Sequence, residues 1–582
     1  MAFDSNLATT LLSTPPDSAQ ITFEFPTLFL TSFINFFFWS LEDQFLVNLH
    51  IENIKFLSCF PSTDLIESCA EINIKPIICR QERIGVAIAD GISRSTGGQQ
   101  IGVFAMQGGP GAENSFPGAA QSFADNVPVL LIPGGESLNR SFISPNFVST
   151  NNYSNVTKWL AQVNDINRLP QILKRAFYAL KTGKPGPVLI EIPSEIWDQN
   201  LNELNYDPVK KNLVRPDQSE TEEIADVIIN AKNPVLYTGQ GIMYSNAEEE
   251  LLKFADLLNI PVMTTLPGKS SFPENHALSL GSSAVSTTKM IPHFLNKSDV
   301  VIAIGTSLTR TPYGRDIPEG KIIIHSTNEP FDINKDYNAH YGLIGDSKLV
   351  LQDLISCINN KVTNFDKYNS KNIRQEIKDI KDDWLGEWQS KLHSDETPLN
   401  PYRIVNDLMQ TVDLNNTIMT HDAGSPRDQI VPFWECTSPK SYIGWGKTTQ
   451  LGYSLGVIMG AKLANPEKLC INIMGDAAIG MVGMDIETAV RNNIGILTIV
   501  LNNGAMAIER SSMPISIEKY KAHSQGGNYK QVAEALGGWG IRVSKPEKII
   551  SALKEAISIT ESGKPALVEF ITKENFDFSK YE

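Results

Sequence analysis

The chain has 582 residues, 42% of them hydrophobic and 20% charged. That apolar mass excludes a disordered or collagen-like polypeptide, and the length predicts about three to five domains. Fifty basic against 65 acidic residues give a formal net charge of −15 with no basic stripe, which excludes a general electrostatic nucleic-acid binder.

Residues 1–41 are expected to be an atypical N-terminal extension. Ile21 to Trp39 is rich in Phe and Leu, but Glu24, Pro26, Thr27, Thr31, Ser32 and Asn35 interrupt it. It falls short of the roughly 20 apolar residues of a spanning helix. No Lys or Arg precedes Lys55, so a signal peptide's basic n-region is missing, and membrane association is not expected. From residue 42 onward, short apolar runs alternate with longer amphipathic stretches. Val129 to Pro133, Val188 to Ile192, Val235 to Thr238, Val300 to Ile304, Ile322 to Ile324, Leu469 to Met474 and Ile496 to Leu501 read as buried strands. Their β-branched, nearly continuous hydrophobicity suits parallel sheets covered by helices on both faces.

Two segments resemble each other. Ala179 to Pro193 (ALKTGKPGPVLIEIP) and Ile559 to Thr572 (ITESGKPALVEFIT) each run from a helix end through Lys-Pro into a strand. Each closes a long α/β segment, which points to a duplicated domain. Polar, proline-containing stretches mark the boundaries. The expected organisation is α/β domains at 42–205, 206–365 and 395–582, with a linker at 366–394. Ser219 with Glu222 reads as a capping box opening the first helix of the middle domain. Cys59, Cys69, Cys79, Cys357, Cys436 and Cys470 are too sparse for a disulfide framework and form no CxxC. They read as buried thiols of a cytoplasmic protein.

The sharpest chemical signal is Gly475-Asp476-Ala477, directly after one predicted strand, with Asn502-Asn503 ending the next. Asp476 and Asn503 stand 27 positions apart, both at carboxyl ends of parallel strands, where doubly wound sheets place ligands. Their oxygens are hard donors suited to Mg²⁺, and the helix after Asp476 turns N–H groups toward a diphosphate. A helix cap and an asparagine turn are the bland alternatives.

These residues resemble the thiamine diphosphate motif, GDG followed after about 25 residues by NN. Ala477 replaces its third glycine. Further segments extend the resemblance, over about Phe56 to Thr572, to the acetolactate synthase large-subunit family of thiamine diphosphate enzymes. Arg80-Gln-Glu-Arg83 with Arg94 and Gly97 matches the family's RHE segment. Gln107-Gly-Gly-Pro-Gly-Ala-Glu-Asn114 matches its SGPGATN loop, Asp422-Ala-Gly-Ser-Pro its diphosphate loop, and Gly444 to Gly452 the segment beneath the bent cofactor.

The resemblance implies three doubly wound parallel-sheet domains. A pyrimidine-binding domain and a related diphosphate/Mg-binding domain flank a Rossmann-like central one. It implies that Glu82 is the catalytic carboxylate, sharing a proton with the cofactor's aminopyrimidine ring. A surface Glu paired with Arg80 or Arg83 is the alternative. It also implies Mg²⁺ ligation by Asp476, Asn503 and the Ala505 carbonyl. The cofactor contacts it assigns are Gly424, Ser425, Gly475, Asp476, Ala477, Ala478 and Asn503. To these it adds Pro110, Asn114 and Thr449 on the pyrimidine side, and Leu451 as the wedge that bends the cofactor. Core packing is the alternative for Leu451. Asn155 to Trp159 resembles a VTKW segment and is expected to bring Lys158 near a substrate or flavin channel.

The implied activity is decarboxylation of a 2-oxo acid with carboligation, as in acetolactate synthase, by a homodimer or homotetramer whose active site lies between subunits. A 2-oxo acid decarboxylase or a 2-hydroxyacyl-CoA lyase on the same scaffold is the first alternative, and a non-catalytic binding relative the remote one. Departures from the family pattern leave the substrate open. Gln81 replaces its usual His, Gly135 a usual Gln, and Gly504 to Ser512 lacks the acceptor-pocket Trp. FAD is also not expected in the central domain. Gly239-Gln-Gly241 is a weak phosphate signal. Leu280 to Ala284 and Gly305 to Arg310 depart from the family's flavin-domain segments, leaving a structural domain or an ADP-type ligand.

Overall fold

The computed structural model describes residues 41–60, 63–141, 143–197, 199, 206–369 and 372–581, all within the unit Ser40–Glu582. The expected N-terminal extension and its Phe-rich stretch lie outside the described residues, apart from Leu41. Among the described residues, no helix is long and apolar enough to cross a membrane.

Three six-stranded sheets follow one another along the chain. The first contains β1 (Phe56–Cys59), β2 (Lys75–Ile78), β3 (Gly102–Met106), β4 (Val129–Gly135), β5 (Trp159–Gln162) and β6 (Val188–Pro193), in the order β2-β1-β3-β4-β6-β5. The second contains β7 (Pro234–Thr238), β8 (Val262–Thr265), β9 (Ser279–Ser283), β10 (Val300–Ile304), β11 (Ile322–Thr327) and β12 (Tyr341–Ile344), in the order β12-β11-β10-β7-β8-β9. The third contains β13 (Thr417–His421), β14 (Tyr442–Ile443), β15 (Leu469–Gly475), β16 (Ile496–Asn502), β17 (Trp539–Val543) and β18 (Ala566–Ile571), in the order β14-β13-β15-β16-β18-β17.

Every strand pairing is parallel. The first and third sheets share one strand order, as the internal repeat predicts. The second has the Rossmann order, with its first and fourth strands, β7 and β10, side by side at the switch point. The central strands are buried along their whole length, which is why their sequences show continuous apolar runs rather than alternation.

Register sets the chemistry. His421 pairs with Ile473, and Gly475 with Leu501. The residues just beyond β13, β15 and β16 therefore emerge along one edge, and they are Asp422, Asp476 and Asn503.

Two local expectations change. The cap of the helix Gln218–Asn230 is Asp217, whose carboxylate accepts from the Ser219 and Glu220 amides at 2.9 and 3.1 Å. Ser219 instead donates its hydroxyl to Asp217. A carboxylate is the stronger acceptor at a helix start, and Asp217 has the extended backbone of a capping residue, φ −66° and ψ 136°. The segment expected as a linker carries a 20-residue helix, Ile373–Leu392. Its Trp384 stacks on Phe433 at 5.1 Å and its Trp388 meets Tyr402 edge-on at 4.7 Å. Polar residues cover its outer face, which explains its linker-like composition.

Candidate active site

Asp476 is the first residue of the helix Asp476–Val482 and is buried. Its Oδ2 accepts from the Gly504 and Ala505 amides at 2.7 and 3.2 Å. Asn503 Oδ1 accepts from the same Ala505 amide at 3.0 Å. One N–H thus draws together two side chains from different strand ends. Burial pushes the Asp476 carboxyl above the usual carboxylate range, against the pull of its amide donors. Just before Asp476, at the end of β15, a Cβ built on Gly475 would lie 3.9 Å from Pro426 Cγ. The Gly424–Ser425 turn therefore borders the Gly475–Ala478 turn, as both were expected to border one ligand.

Asp422 binds this region into a unit. It is fully buried and accepts from the Ala423 and Gly452 amides at 2.9 and 3.0 Å, and from the Ser454 amide and hydroxyl at 3.2 and 2.6 Å. Its carboxyl is likewise pushed up by burial, with these donors opposing. The loop after β13 is thereby fastened to the segment carrying Thr449 and Leu451. Leu451 is half-buried against an apolar cluster that includes Ile84, Ala87 and Ile88, so packing and a wedge role coexist there. The Thr449 hydroxyl faces that of Tyr313 at 3.4 Å.

Glu82 opens the helix Glu82–Ser95 and is 6% exposed. That helix crosses the helix Tyr453–Ala464 at very close range. A Cβ on Gly456 would come 2.5 Å from Ala87 Cβ, and one on Gly460 2.0 Å from the Ile88 carbonyl oxygen, so only glycine permits the contact. The segment before Glu82 is held by the Arg80 amide on Asp485 Oδ1 at 2.9 Å and the Arg80 guanidinium on Glu487 at 2.9 Å. Within one chain, then, Glu82 is anchored to the turn that follows the Asp476 helix. The expected Gln107–Asn114 loop is instead a short turn leading into the helix Pro110–Ala124, whose first turn lies beside Glu82, with Glu82 Oε1 3.6 Å from a Cβ built on Gly111. Pro110 and Asn114, in that first helical turn, are exposed. Arg94 is buried between Asp90 and Asp125, with Nη2 3.0 Å from Asp125; its role here is to hold helices together.

Three family models match the chain. They are described as thiamine pyrophosphate enzyme N-terminal TPP binding domain (residues 44–143), central domain (221–354) and C-terminal TPP binding domain (422–570). The chain belongs to the thiamine pyrophosphate enzyme family. It is 29% identical to the probable acetolactate synthase large subunit of Methanocaldococcus jannaschii, over 90% of each chain. It is 28% identical to the corresponding protein of Methanococcus aeolicus, again over 90% of each. It is 24% identical to the acetolactate synthase isozyme 3 large subunit of Escherichia coli, over 85% of this chain and 88% of that one.

Two further features of this thiamine pyrophosphate enzyme make local contacts. Lys158 donates to the Ala179 and Thr182 carbonyls at 2.6 Å each. It therefore caps the end of the helix Leu169–Lys181, where unpaired carbonyls attract a cation. Gly239 and Gly241 pack against the loop after β10: a Cβ on Gly239 would come 2.3 Å from the Gly305 carbonyl oxygen, and the Gly241 amide donates to that oxygen at 2.8 Å. The GxG is a close approach of two backbones, with its second amide already spent.

Asp422 and Asp485 escaped the sequence reading as organising residues. The only signal for Asp422 is an acid ending a strand just before Ala-Gly, and Asp485 has none.

Proposed function

We propose that this protein is a thiamine diphosphate- and Mg²⁺-dependent enzyme that decarboxylates a 2-oxo acid and joins the remainder to a second carbonyl, an activity of the acetolactate synthase kind. The observation that carries the reading is the meeting of Asp476 and Asn503 on the Ala505 amide, beside the Gly424–Ser425 turn.

The residues present fit the two groups. The Asp476 carboxylate, the Asn503 amide oxygen and the Ala505 carbonyl are hard donors, and Mg²⁺ takes few protein ligands alongside phosphate oxygens. A cation also relieves the buried Asp476 anion. Gly424, Ser425, Gly475, Ala477 and Ala478 border the place for the diphosphate. Thr449 and Leu451 serve the pyrimidine edge and the bend, with Pro110 and Asn114 in the first turn of the neighbouring helix. Bound there, thiamine diphosphate supplies the electron sink for the carbon that loses CO₂.

Glu82 holds and returns the proton at the pyrimidine ring. Its burial keeps water from competing for that proton. The clasp of Arg80 on Asp485 and Glu487 fixes its backbone.

The exposure of Pro110 and Asn114 in the single chain, and the name large subunit borne by the relatives, support a homodimer or homotetramer in which a second copy meets this helix end. Six cysteines without a disulfide support a reducing, cytoplasmic setting. The altered positions after Asn503, without the acceptor-pocket Trp, favour as second reading a 2-oxo acid decarboxylase or 2-hydroxyacyl-CoA lyase. Product analysis after incubation with pyruvate, thiamine diphosphate and Mg²⁺ tests the choice. Acetolactate supports the first reading; free aldehyde, or an acyl-CoA-derived product when CoA partners are supplied, supports the second.

A further inference from the structure

Strand β18 reads ALVEFI and is buried along nearly its whole length, yet it carries the fully buried Glu569. A charge in such a strand is costly unless it is paired. The strand register supplies partners on both sides. Arg542 lies directly opposite Glu569 on β17, and Asn502, opposite Ile571 at the end of β16, lies diagonally from it. Glu569 Oε1 accepts from Asn502 Nδ2 at 2.7 Å and from Arg542 Nη2 at 2.8 Å. Its Oε2 accepts from Arg542 Nε and from the Lys530 amide, each at 3.0 Å.

Every one of these partners is a donor, so the position calls for a carboxylate. It also decides which way the Asn502 amide points. With Nδ2 on Glu569, Oδ1 is left to accept from the Gly504 amide at 3.1 Å. The reverse orientation would set oxygen against oxygen and N–H against N–H. The Gly504 amide also donates to Asp476 Oδ2 at 2.7 Å. Gly504 has φ +71°, and its left-handed turn brings the next amide, that of Ala505, to Asp476 and Asn503. The other copy of the repeat shows what is added here. Glu191 holds the equivalent place in β6, buried and opposite Gln162, and accepts from the Ser149 and Thr150 amides at 3.3 and 3.0 Å. Opposite Pro193, where the third sheet has Asn502, stands Gly135. Both glutamates hold the first amides of a helix. Of the two, Glu569 has a guanidinium opposite it and a side-chain amide relaying it to a turn.

We propose that Glu569 is a positioning residue: through Asn502 it sets the turn Asn503–Ala505, and thereby the affinity of that turn for Mg²⁺. The second half rests on the proposed function, and the first does not. Glu569 acts from behind the ligands, as the outer partners of metal ligands generally do.

The test uses the full-length protein as wild type, Glu569→Gln, Asn502→Ala and the double variant. Without metal or cofactor, hydrogen exchange at the Gly504 and Ala505 amides should quicken about two- to tenfold in each single variant, the worth of one hydrogen bond. Amides of β7 and β10 should keep their wild-type rates. Mg²⁺ titrated in a fixed excess of thiamine diphosphate should bind about 10–100-fold more weakly. At saturating Mg²⁺ the C2 exchange rate of the bound cofactor should return to the wild-type value, because Glu82 is untouched. The double variant should bind no more weakly than the weaker single variant, since both substitutions cut one path. Unchanged exchange at both amides, unchanged Mg²⁺ affinity, or losses that add in the double variant overturn the proposal. A C2 rate that stays low at saturating Mg²⁺ marks a general loosening and overturns it too. Wild type that binds no Mg²⁺ contradicts the function instead, and the amide measurement alone then decides the hold of Glu569 on the turn. Should Glu569→Gln fail to fold, Asn502→Ala decides with the same outcomes, since it removes the relay and leaves Glu569 paired with Arg542.

Discussion

Glu82 and Asp476 are both buried carboxylates at the first position of a helix, yet the account gives them different tasks, and substitution separates them. Glu82→Gln keeps the shape and loses the proton acceptor. It should bind thiamine diphosphate as wild type does and turn over about 10²–10⁴-fold more slowly. Hydrogen–deuterium exchange at C2 of the bound cofactor checks this, and an unchanged exchange rate refutes the assignment.

Asp476 is a question of charge. Because burial raises its carboxyl, the folded protein holds a proton there that the unfolded chain has already released. Without a cation, Asp476 therefore costs stability as pH rises through the gap between the two values. Mg²⁺ reverses that cost only when Asp476 is ionised. Stabilisation by Mg²⁺ with thiamine diphosphate should thus fade, as pH is lowered, at a higher pH than an ordinary Asp would set. Melting temperatures with and without the pair, taken across acidic pH, test the sign.

At this scale the sequence revealed what lies close along the chain. Asp476 and Asn503 end neighbouring strands and are recognisable from their spacing. Asp422 and Asp485 organise the site through partners 30 and 405 positions away, and no local pattern encodes such pairs.

At the scale of elements, the crossing of the helices Glu82–Ser95 and Tyr453–Ala464 is the joint that fixes Glu82 relative to Leu451. Gly460→Ala sets two effects against each other. Helix propensity favours alanine by about 1 kcal/mol, but the new Cβ would press to 2.0 Å from the Ile88 carbonyl oxygen. Overpacking costs about 1–3 kcal/mol, and backbone cannot step aside as a side chain can, so the variant should be less stable than wild type in denaturant titration. A more stable variant would contradict the packing described.

The loops after β9 and β10 carry the flavin expectation. Arg310 sits over Tyr337 and near Asp316, and Arg315 donates to the Tyr581 carbonyl at 2.6 Å. Both are engaged away from the task of meeting a diphosphate, and purified protein is expected to contain no stoichiometric FAD. Absorbance in the flavin bands, followed by denaturation and chromatography, decides it. The central strands were legible because burial on both faces leaves continuous β-branched runs. Short strands such as β14, with two residues, and β2, with an exposed end, carry too few residues for a pattern. The helix Ile373–Leu392 was hidden by its polar outer face, although Trp384 and Trp388 stand four apart on one side of it.

For the whole molecule, the sheet orders make the internal repeat structural: two sheets of one topology contribute Glu82 and Asp476, and a Rossmann-ordered sheet lies between them in the chain. The cysteines give a global check of the fold. Five are buried, and burial pushes Cys59, Cys69 and Cys470 up to about 12. Only Cys357 is partly exposed, so a thiol reagent near neutral pH should find at most one reactive group in the native protein and six after denaturation.

The most direct measurement of the central claim is the binding of thiamine diphosphate to wild type and Asp476→Asn, each titrated in Mg²⁺ and in EDTA. Asparagine keeps an oxygen for the Gly504 and Ala505 amides but removes the charge. Wild type should bind tightly in Mg²⁺ and weakly in EDTA. The variant should bind weakly in both, with a loss of about a hundredfold or more in Mg²⁺, since changes even to groups behind metal ligands cost about 10–100-fold. Equal affinity of the two proteins in Mg²⁺, with the same loss in EDTA, would show that the metal is held elsewhere and contradict the account.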